Sequence, residues 1–600
     1  MVTPSPGSLR SPTSPQGGEV APAMPLPQCA TPTTTDWSSR IIPTLGAIAA
    51  VYLIAVPLAM LIYAAFRGPA DFLPFEAGAQ WTVDNVRAVF TDPIMYGEII
   101  PDTLTFVAGT VCLTTVMALA MAWLIERTDL PYRGVWFALI IFPTLVPIVV
   151  QAIAWILLLS PNAGWINRLI RVATGWSGKG PVDVFSMAGL IFCQSLSVAP
   201  FVFLQFSATL RAMNPAFEDA SRGSGASTWT TLRRITLPVL LPGLLAPIIL
   251  ITLITFEQFE LPLIIGLPGG INVFAYRIYN ELNPASGLPN YGRAAAISLP
   301  FLAMGLLALL AYNHAIRNAE KFVTVTGKAY AQRRIPLGAW RWPAYGFLGF
   351  YVGFAAILPA LILLWTSLFG FSVPGSVPLD QASLASYRQL FADPLLWRAV
   401  RNSFTVAILS ALIVTLLGAL IAWIVTRSTF SGRWLLDALS FMSLGIPAVI
   451  TGLAVMVLYL SVPIGIYGTV WILVIAYSYR LAVSTRLSRA TIMQVHKELE
   501  EASEAAGARW LTTQVRILLP LIMPGLVSAF LLLFIIGMRE FTLPFVLYSQ
   551  ENVVMSVLIW QFFQGGEPAR SAALATLMIA IVLPLVVFAR RYLVSRGAGE

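Results

Sequence analysis

Side chains able to do chemistry are scarce in this chain, and the clearest group of them occurs twice. The first copy reads Asp219-Ala-Ser-Arg-Gly-Ser-Gly225, then after nine residues Ile235-Thr-Leu-Pro238, then Pro242-Gly243. The second reads Glu501-Ala-Ser-Glu-Ala-Ala-Gly507, then Ile517-Leu-Leu-Pro520, then Pro524-Gly525, each landmark 282 positions after its partner. Acids precede the glycine (Glu218, Asp219; Glu500, Glu501) and arginines follow it (Arg233, Arg234; Arg509, Arg516). This set suits recognition rather than bond-making. The small side chains of Ala220, Ser221, Ala502 and Ser503 let another surface approach the backbone. Gly225 and Gly507 suit a turn with positive φ, and Pro238 and Pro520 suit the first turn of the next helix. Each island is therefore expected to be two short helices joined at a turn. A single copy could be an ordinary amphipathic surface loop. Two copies with one spacing read as a docking site for a two-fold partner.

A second set of charges lies among apolar residues: Glu257, Glu260, Arg539 and Glu540. Ionisable groups within membrane spans are costly and often functional. Glu257 and Glu260, spaced i, i+3, are expected to share a helix face. They could line or gate a cation path. Alternatively they form a structural ion pair between two halves of the chain, which the tendency of buried charges to pair favours. Glu257 and Arg539 are repeat equivalents and are the expected pair. Arg293 and Arg570 open later apolar runs and are expected to snorkel. Trp81, Trp165, Tyr279 and Trp397 are expected as interfacial anchors.

Other chemistry is poorly represented. Cys29, Cys112 and Cys193 lie far apart and form no metal or disulfide pattern, and the two histidines, His314 and His496, adjoin basic loop residues. Cys112 and Cys193 read as packing residues. Gly175-Trp-Ser-Gly178-Lys179-Gly180 lacks the upstream Gly and following Ser or Thr of a phosphate loop and reads as exposed loop. No catalytic residue, metal site or cofactor is expected.

The elements that carry these residues follow from composition. Hydrophobic residues make up 57% and charged residues 11%, against the roughly 25% charged of a soluble chain. Apolar runs of about 20 residues are long enough to span a bilayer, so the expected fold is an all-α polytopic membrane protein. The net charge of +9 suits cytoplasmic loops better than a nucleic-acid partner. Residues 1–40 read as a disordered tail without a cleavable signal. The chain then divides into a first unit, 41–313, a basic linker, 314–341, a second unit, 342–590, and a tail, 591–600. Six apolar runs per unit give about twelve spans. Asn85–Pro93 echoes Ser386–Pro394, and Ala122, Trp123, Arg127, Arg133 and Pro147 match Ala422, Trp423, Arg427, Arg433 and Pro447, offset by 300. The later offset of 282 implies an 18-residue insertion in the first unit, near 161–184. Lys and Arg concentrate in the segments that face one side if both termini are cytoplasmic. Both islands then face the cytoplasm, and the six-helix repeats run parallel about an axis along the membrane normal.

The pattern acid-Ala-(Ala/Ser)-x3-Gly-x9-Ile-x-Leu-Pro resembles the EAA loop of binding-protein-dependent ABC importer permeases, and the resemblance covers nearly all of 41–590 as two fused units. Copy one has Asp219 where Glu is usual, and both copies have Ser where the second Ala is usual. The resemblance implies that the island helices insert into clefts on two copies of a separate ABC ATPase, which binds the ATP. A periplasmic substrate-binding protein would deliver cargo, in the bacterial inner (plasma) membrane. The chain has no Walker A motif, so ATP hydrolysis is expected only in the partner. Glu218, Asp219, Ala220, Ser221 and Gly225, with Glu500, Glu501, Ala502, Ser503 and Gly507, become the expected ATPase-docking residues. Phe256-Glu257-Gln-Phe-Glu260-Leu-Pro262, Ile265-Gly266-Leu-Pro268, Tyr291-Gly292-Arg293 and Met538-Arg539-Glu540-Phe541 most resemble ferric iron importer permeases; thiamine, polyamine and phosphonate permeases share the layout. A parallel-repeat secondary transporter driven by an ion gradient would explain the spans but not the paired islands. A polytopic membrane enzyme would need a catalytic cluster, and none is evident.

Overall fold

The computed structural model describes residues 38–214, 216–285, 287–320, 334–372, 374–462 and 464–597. The expected N-terminal tail, apart from its last three residues, lies outside this range. So do Cys29, residues 321–333 of the expected linker and 598–600.

The chain is almost wholly helical. In the first half α1 (Ser38–Ala65) leads through a two-stranded antiparallel ribbon, Arg67–Gly68 with Gln80–Trp81, towards α2 (Met95–Arg127). Then come α3 (Arg133–Leu145), α4 (Ile148–Leu159), α5 (Met187–Ala212), α6 (Ala216–Gly223), α7 (Thr228–Phe256), α8 (Phe274–Leu282) and α9 (Tyr291–Glu320). The second half runs α10 (Gly338–Phe369), α11 (Pro394–Arg427), α12 (Arg433–Met442), α13 (Ala448–Ser461), α14 (Val470–Tyr477) and α15 (Leu481–Gln494). It ends with α16 (Glu498–Ala505), α17 (Trp510–Arg539), α18 (Met555–Gln564) and α19 (Pro568–Gly597).

Among the described residues nine helices are long and apolar enough to cross a membrane, or up to eleven if each of two bent pairs counts as one span. Of the roughly twelve apolar runs expected as spans, two are bent helix pairs. The α3–α4 pair is bent by 100° and the α14–α15 pair by 51°, while α13 is a shorter apolar helix. The first bend has a local cause. Pro143 and Pro147 cannot donate ladder hydrogen bonds, and Gln151 Nε2 donates instead to the freed carbonyls of Pro143 (2.7 Å) and Val146 (3.1 Å). Irregular backbone at membrane depth survives only inside protein, and Gln151 is 2% exposed.

The halves interlock through their first helices. α1 packs against α11, α12 and α13, and α10 packs against α3 and α4. Tyr52 and Tyr459 share a hydroxyl hydrogen bond of 2.7 Å, while Trp155 Nε1 donates to Phe354 O at 3.0 Å. Each half thereby lends one helix to cover the other.

The extra segment of the first half is built rather than loose. It holds a helix, Trp165–Thr174, pinned by buried Asn167, whose amide donates to Leu159, Ser160 and Val182 carbonyls. Only the Gly175–Lys179 stretch matches the exposed loop expected there. Cys193 is buried as expected, but Cys112 lies on an exposed helix face.

Candidate docking islands and inter-half charge cluster

Each island starts where the fourth segment of its half ends. α6 and α16 are eight-residue helices that close in the same way. In the first, Gly225 N–H bonds Arg222 O at 2.9 Å and Ala226 N–H bonds Ser221 O at 3.2 Å. In the second, Gly507 N–H bonds Glu504 O at 2.9 Å and Ala508 N–H bonds Ser503 O at 3.1 Å. These are Schellman closures, which need a left-handed residue after the helix. Gly225 and Gly507 supply it, with φ of +83° and +85°. The second limb is not the separate short helix expected. It is the start of a long span in each half, running through one wide turn at Leu232–Thr236 and at Gln514–Leu518.

The acids of each island split into two roles. Glu218 and Glu500 point inward, 5% and 7% exposed, and each meets the arginine that ends the second span of its half. Arg127 Nε lies 3.4 Å from Glu218 Oε1, and Arg427 Nε lies 3.1 Å from Glu500 Oε1. The same arginines donate to the repeat-equivalent carbonyls of Leu210 (3.0 Å) and Ile492 (3.1 Å). A cation at a helix C-terminus offsets the carbonyl dipoles there. Thr236 Oγ1 adds a 2.9 Å bond to Glu218, and Trp423 Nε1 a 3.4 Å bond to Glu500. Ser221 and Ser503 tie the two limbs together, each sharing a 2.9 Å hydroxyl bond, with Thr231 and Thr513. Glu218 and Glu500, expected among the docking residues, are thus buried and paired within the chain and offer no exposed carboxylate. Arg127 and Arg427 were visible as repeat landmarks, but their role was not.

The outward face holds the rest. Asp219, Ala220, Glu501 and Ala502 are exposed, as are Gly225 and Gly507. Asp219 pairs with Arg222 within α6, and Glu501 with Lys497 at the N-terminus of α16, both at 3.0 Å. An apolar side chain stands beside each acid pair at equivalent positions: Phe217, 49% exposed, and Leu499, 47% exposed. Neither was singled out by its sequence context.

The second set of charges does converge between the halves, but in another pairing. α7 stops at Phe256, and residues 257–259 are not helical, so Glu257 and Glu260 do not share a helix face. α17 stops at Arg539, and Glu540 continues in extended conformation. Among the described residues no ion pair joins Glu257 to Arg539. Arg539 instead donates to the bend carbonyl Val146 of the first half at 2.9 Å, a bond the notch at Pro147 leaves open. Glu540 pairs with Arg480. Glu257 has Arg480 and Glu540 as its charged neighbours, and Glu260 has Glu540, Arg539 and Arg480. One carboxylate oxygen of Glu260 is buried without a hydrogen-bond partner.

Arg480, which its sequence context did not single out, is a further member of this cluster. It sits in the break between α14 and α15, and 23% of its side chain is accessible. Its repeat equivalent in the unbroken α5 is Val198. Next to the charges, Phe259 and Tyr279 of the first half lie against Phe545 of the second, with ring centroids 5.9 and 5.0 Å apart. Tyr279 is therefore part of the seam between halves rather than an interfacial anchor.

Arg293 and Arg570 do not snorkel freely. Arg293 pairs with Asp92 (2.8 Å) and Glu281 (3.4 Å), joined by Arg277; Arg570 pairs with Asp393 and Glu567. Among the described residues no group of three or more His, Cys, Asp or Glu could hold a metal ion.

Comparison with known proteins places this architecture. A family model described as binding-protein-dependent transport system inner membrane component matches residues 115–321 and again 414–597. Similar proteins include a ferric transport system permease of Actinobacillus pleuropneumoniae, 26% identical over 80% of this chain and 69% of that one. A putative ferric transport system permease of Haemophilus influenzae is 27% identical over 81% of this chain and 76% of its own length. A spermidine/putrescine permease from the same species is 28% identical over 34% of this chain and 79% of its own. Among solved structures, a bacterial alginate ABC transporter aligns with a TM-score of 0.37 at 19% identity, covering 48% of this chain and 96% of that one.

Proposed function

Since the chain belongs to the family of binding-protein-dependent transport system inner membrane components, we propose that this ABC importer permease carries ferric iron across the inner membrane. The ferric relatives that match four-fifths of the chain support the cargo. Residues 41–313 and 342–590 act as two permease units joined by the basic linker, and both termini and both islands face the cytoplasm. Two copies of an ATPase grip the outward faces of the islands, around Phe217, Asp219, Ala220 and Gly225 and around Leu499, Glu501, Ala502 and Gly507. A periplasmic binding protein delivers cargo to the opposite end.

The observation that carries the reading is the matched anchoring of the two islands. Each island is locked by a buried Arg–Glu pair to the end of a long span. A pull on the outward face therefore reaches the span through a stiff joint rather than a slack loop. ATP binding and hydrolysis reside in the partner, and this chain converts closure of the ATPase pair into movement of one half against the other. The broken segments and charge cluster between the halves, with Glu257, Glu260, Arg480, Arg539 and Glu540, form the gate on the route. In secondary transporters, discontinuous helices near the repeat interface hold cargo, and broken segments meet at the seam here too.

The test is transport by the complete system in liposomes: this permease, its ATPase and its binding protein. Uptake of ferric iron that requires ATP is expected. ATP-driven uptake of thiamine, a polyamine or a phosphonate, with ferric iron left outside, would overturn the cargo. Uptake by the permease alone on an ion gradient would overturn the whole reading.

A further inference from the structure

Beside the first island lies an apolar cleft of about 560 Å³, lined by Trp123, Thr228, Trp229, Ile335, Trp340 and Phe347 among others. It is bounded on one side by α2 and the start of α7, and on the other by the start of α10. Trp229 and Trp340, which line it, are 68% and 74% exposed. Exposed indoles at the ends of spans mark the level where lipid headgroups meet acyl chains.

The repeat explains why the cleft is open. In the second half the equivalent of Thr228 is Trp510 and the equivalent of Trp123 is Trp423. There the two indoles meet edge to face, with centroids 5.2 Å apart. In the first half Thr228 is too small to cover Trp123, so the same flank stays uncovered. The volume falls within the range of small-molecule sites, roughly 300–1,000 Å³.

The rim is basic. Arg233 follows lining residue Leu232, Arg334 precedes Ile335, and Arg341 follows Trp340; all three are exposed. Arg341 spends one N–H on Gly338 O at 3.0 Å. Asp129 accepts from the N–H of lining residue Leu337 at 2.9 Å. Basic pockets between spans recognise anionic headgroups, and an apolar slot below such a rim fits an acyl chain.

We propose that this cleft holds an acyl chain of an anionic phospholipid, with its phosphate set among Arg233, Arg334 and Arg341. The lipid braces the first island where Trp510 braces the second. The two islands then differ in a way that the membrane composition controls.

The experiment is native mass spectrometry of the full-length chain in mild detergent with added phosphatidylglycerol or phosphatidylcholine. Wild type is expected to retain phosphatidylglycerol on the order of tenfold better. Thr228→Trp, which copies the second half, should reduce retention to the phosphatidylcholine level, while Thr228→Ser should keep it. Arg233→Gln, Arg334→Gln and Arg341→Gln together should erase the headgroup preference. These arginines are exposed, so this variant carries the test even if Thr228→Trp does not insert. Equal retention of both lipids by wild type, or undiminished phosphatidylglycerol retention in Thr228→Trp, overturns the assignment. So does a Thr228→Trp chain that keeps its lipid but loses its ATPase, which would make the cleft part of the docking surface.

Discussion

Two adjacent acids in each island have opposite fates, and energetics separates them. Removing Glu218 strands the buried guanidinium of Arg127, and removing Glu500 the largely buried one of Arg427, a loss of up to about 3–5 kcal/mol for a broken buried pair. Removing Asp219 or Glu501 removes an exposed local pair worth less than about 1 kcal/mol. Thermal unfolding of the purified chain should therefore show a clear drop for Glu500→Ala and almost none for Glu501→Ala. Transport should fall in both, in the first because the joint is loose and in the second because the gripped face has changed. Equal stability of the two variants would remove the anchor role of Glu500. Gly507 offers a second residue-scale test. A Cβ there meets nothing within 4 Å, so any penalty is backbone strain at φ +85° and not a clash. Gly507→Val should cost about 1–2 kcal/mol and abolish uptake with insertion intact, whereas Gly507→Asn, which tolerates left-handed backbone, should retain part of it. Full uptake by the valine variant would count against the island's role.

Among the elements, the breaks matter more than the spans. α3–α4, α14–α15 and the ends of α7 and α17 all interrupt near the seam between halves, where freed backbone groups must find partners inside the protein. Gln151 and Arg539 serve that need at the first bend. Arg480 occupies the break on the other side and pairs with Glu540. Arg480→Gln removes the ion-pair partner of Glu540, leaving only the charge of Arg539 near it, and should lower the unfolding temperature, with a cost of up to about 3–5 kcal/mol. Glu260→Gln keeps shape and removes a charge whose second oxygen is already unbonded. It should leave the unfolding temperature unchanged while cutting ferric uptake on the order of tenfold if the acid lines the cation route. An unchanged uptake rate would confine Glu260 to a structural part. The pairing of these charges was not legible in the sequence, because repeat symmetry matches Glu257 with Arg539 but a helix that unwinds turns each side chain away from its equivalent position.

For the molecule as a whole, the exchange of first helices makes each half incomplete alone. α1 covers the second half and α10 covers the first. Two separately expressed chains, cut within 321–333, should therefore co-purify and restore uptake, because the interlocked surfaces rather than the linker hold them. Deleting α1 from the first chain should weaken that association. Independent halves that never co-purify would mean the linker supplies the union.

By itself the sequence determined the class, the repeat and the islands. Composition alone sets which segments enter a bilayer, and a duplicated spacing survives in one dimension. The left-handed glycines were legible for the same reason, since a Schellman turn is a local structure. The tertiary structure decided what depends on contacts across hundreds of residues: that Glu218 and Glu500 face inward, that Arg480 belongs to the inter-half cluster, and that Arg293 and Arg570 are paired. It also decided that the repeats are unequal. Thr228 and Trp510 occupy equivalent positions in the pattern, yet only packing against Trp123 and Trp423 shows that one leaves a cleft and the other fills it.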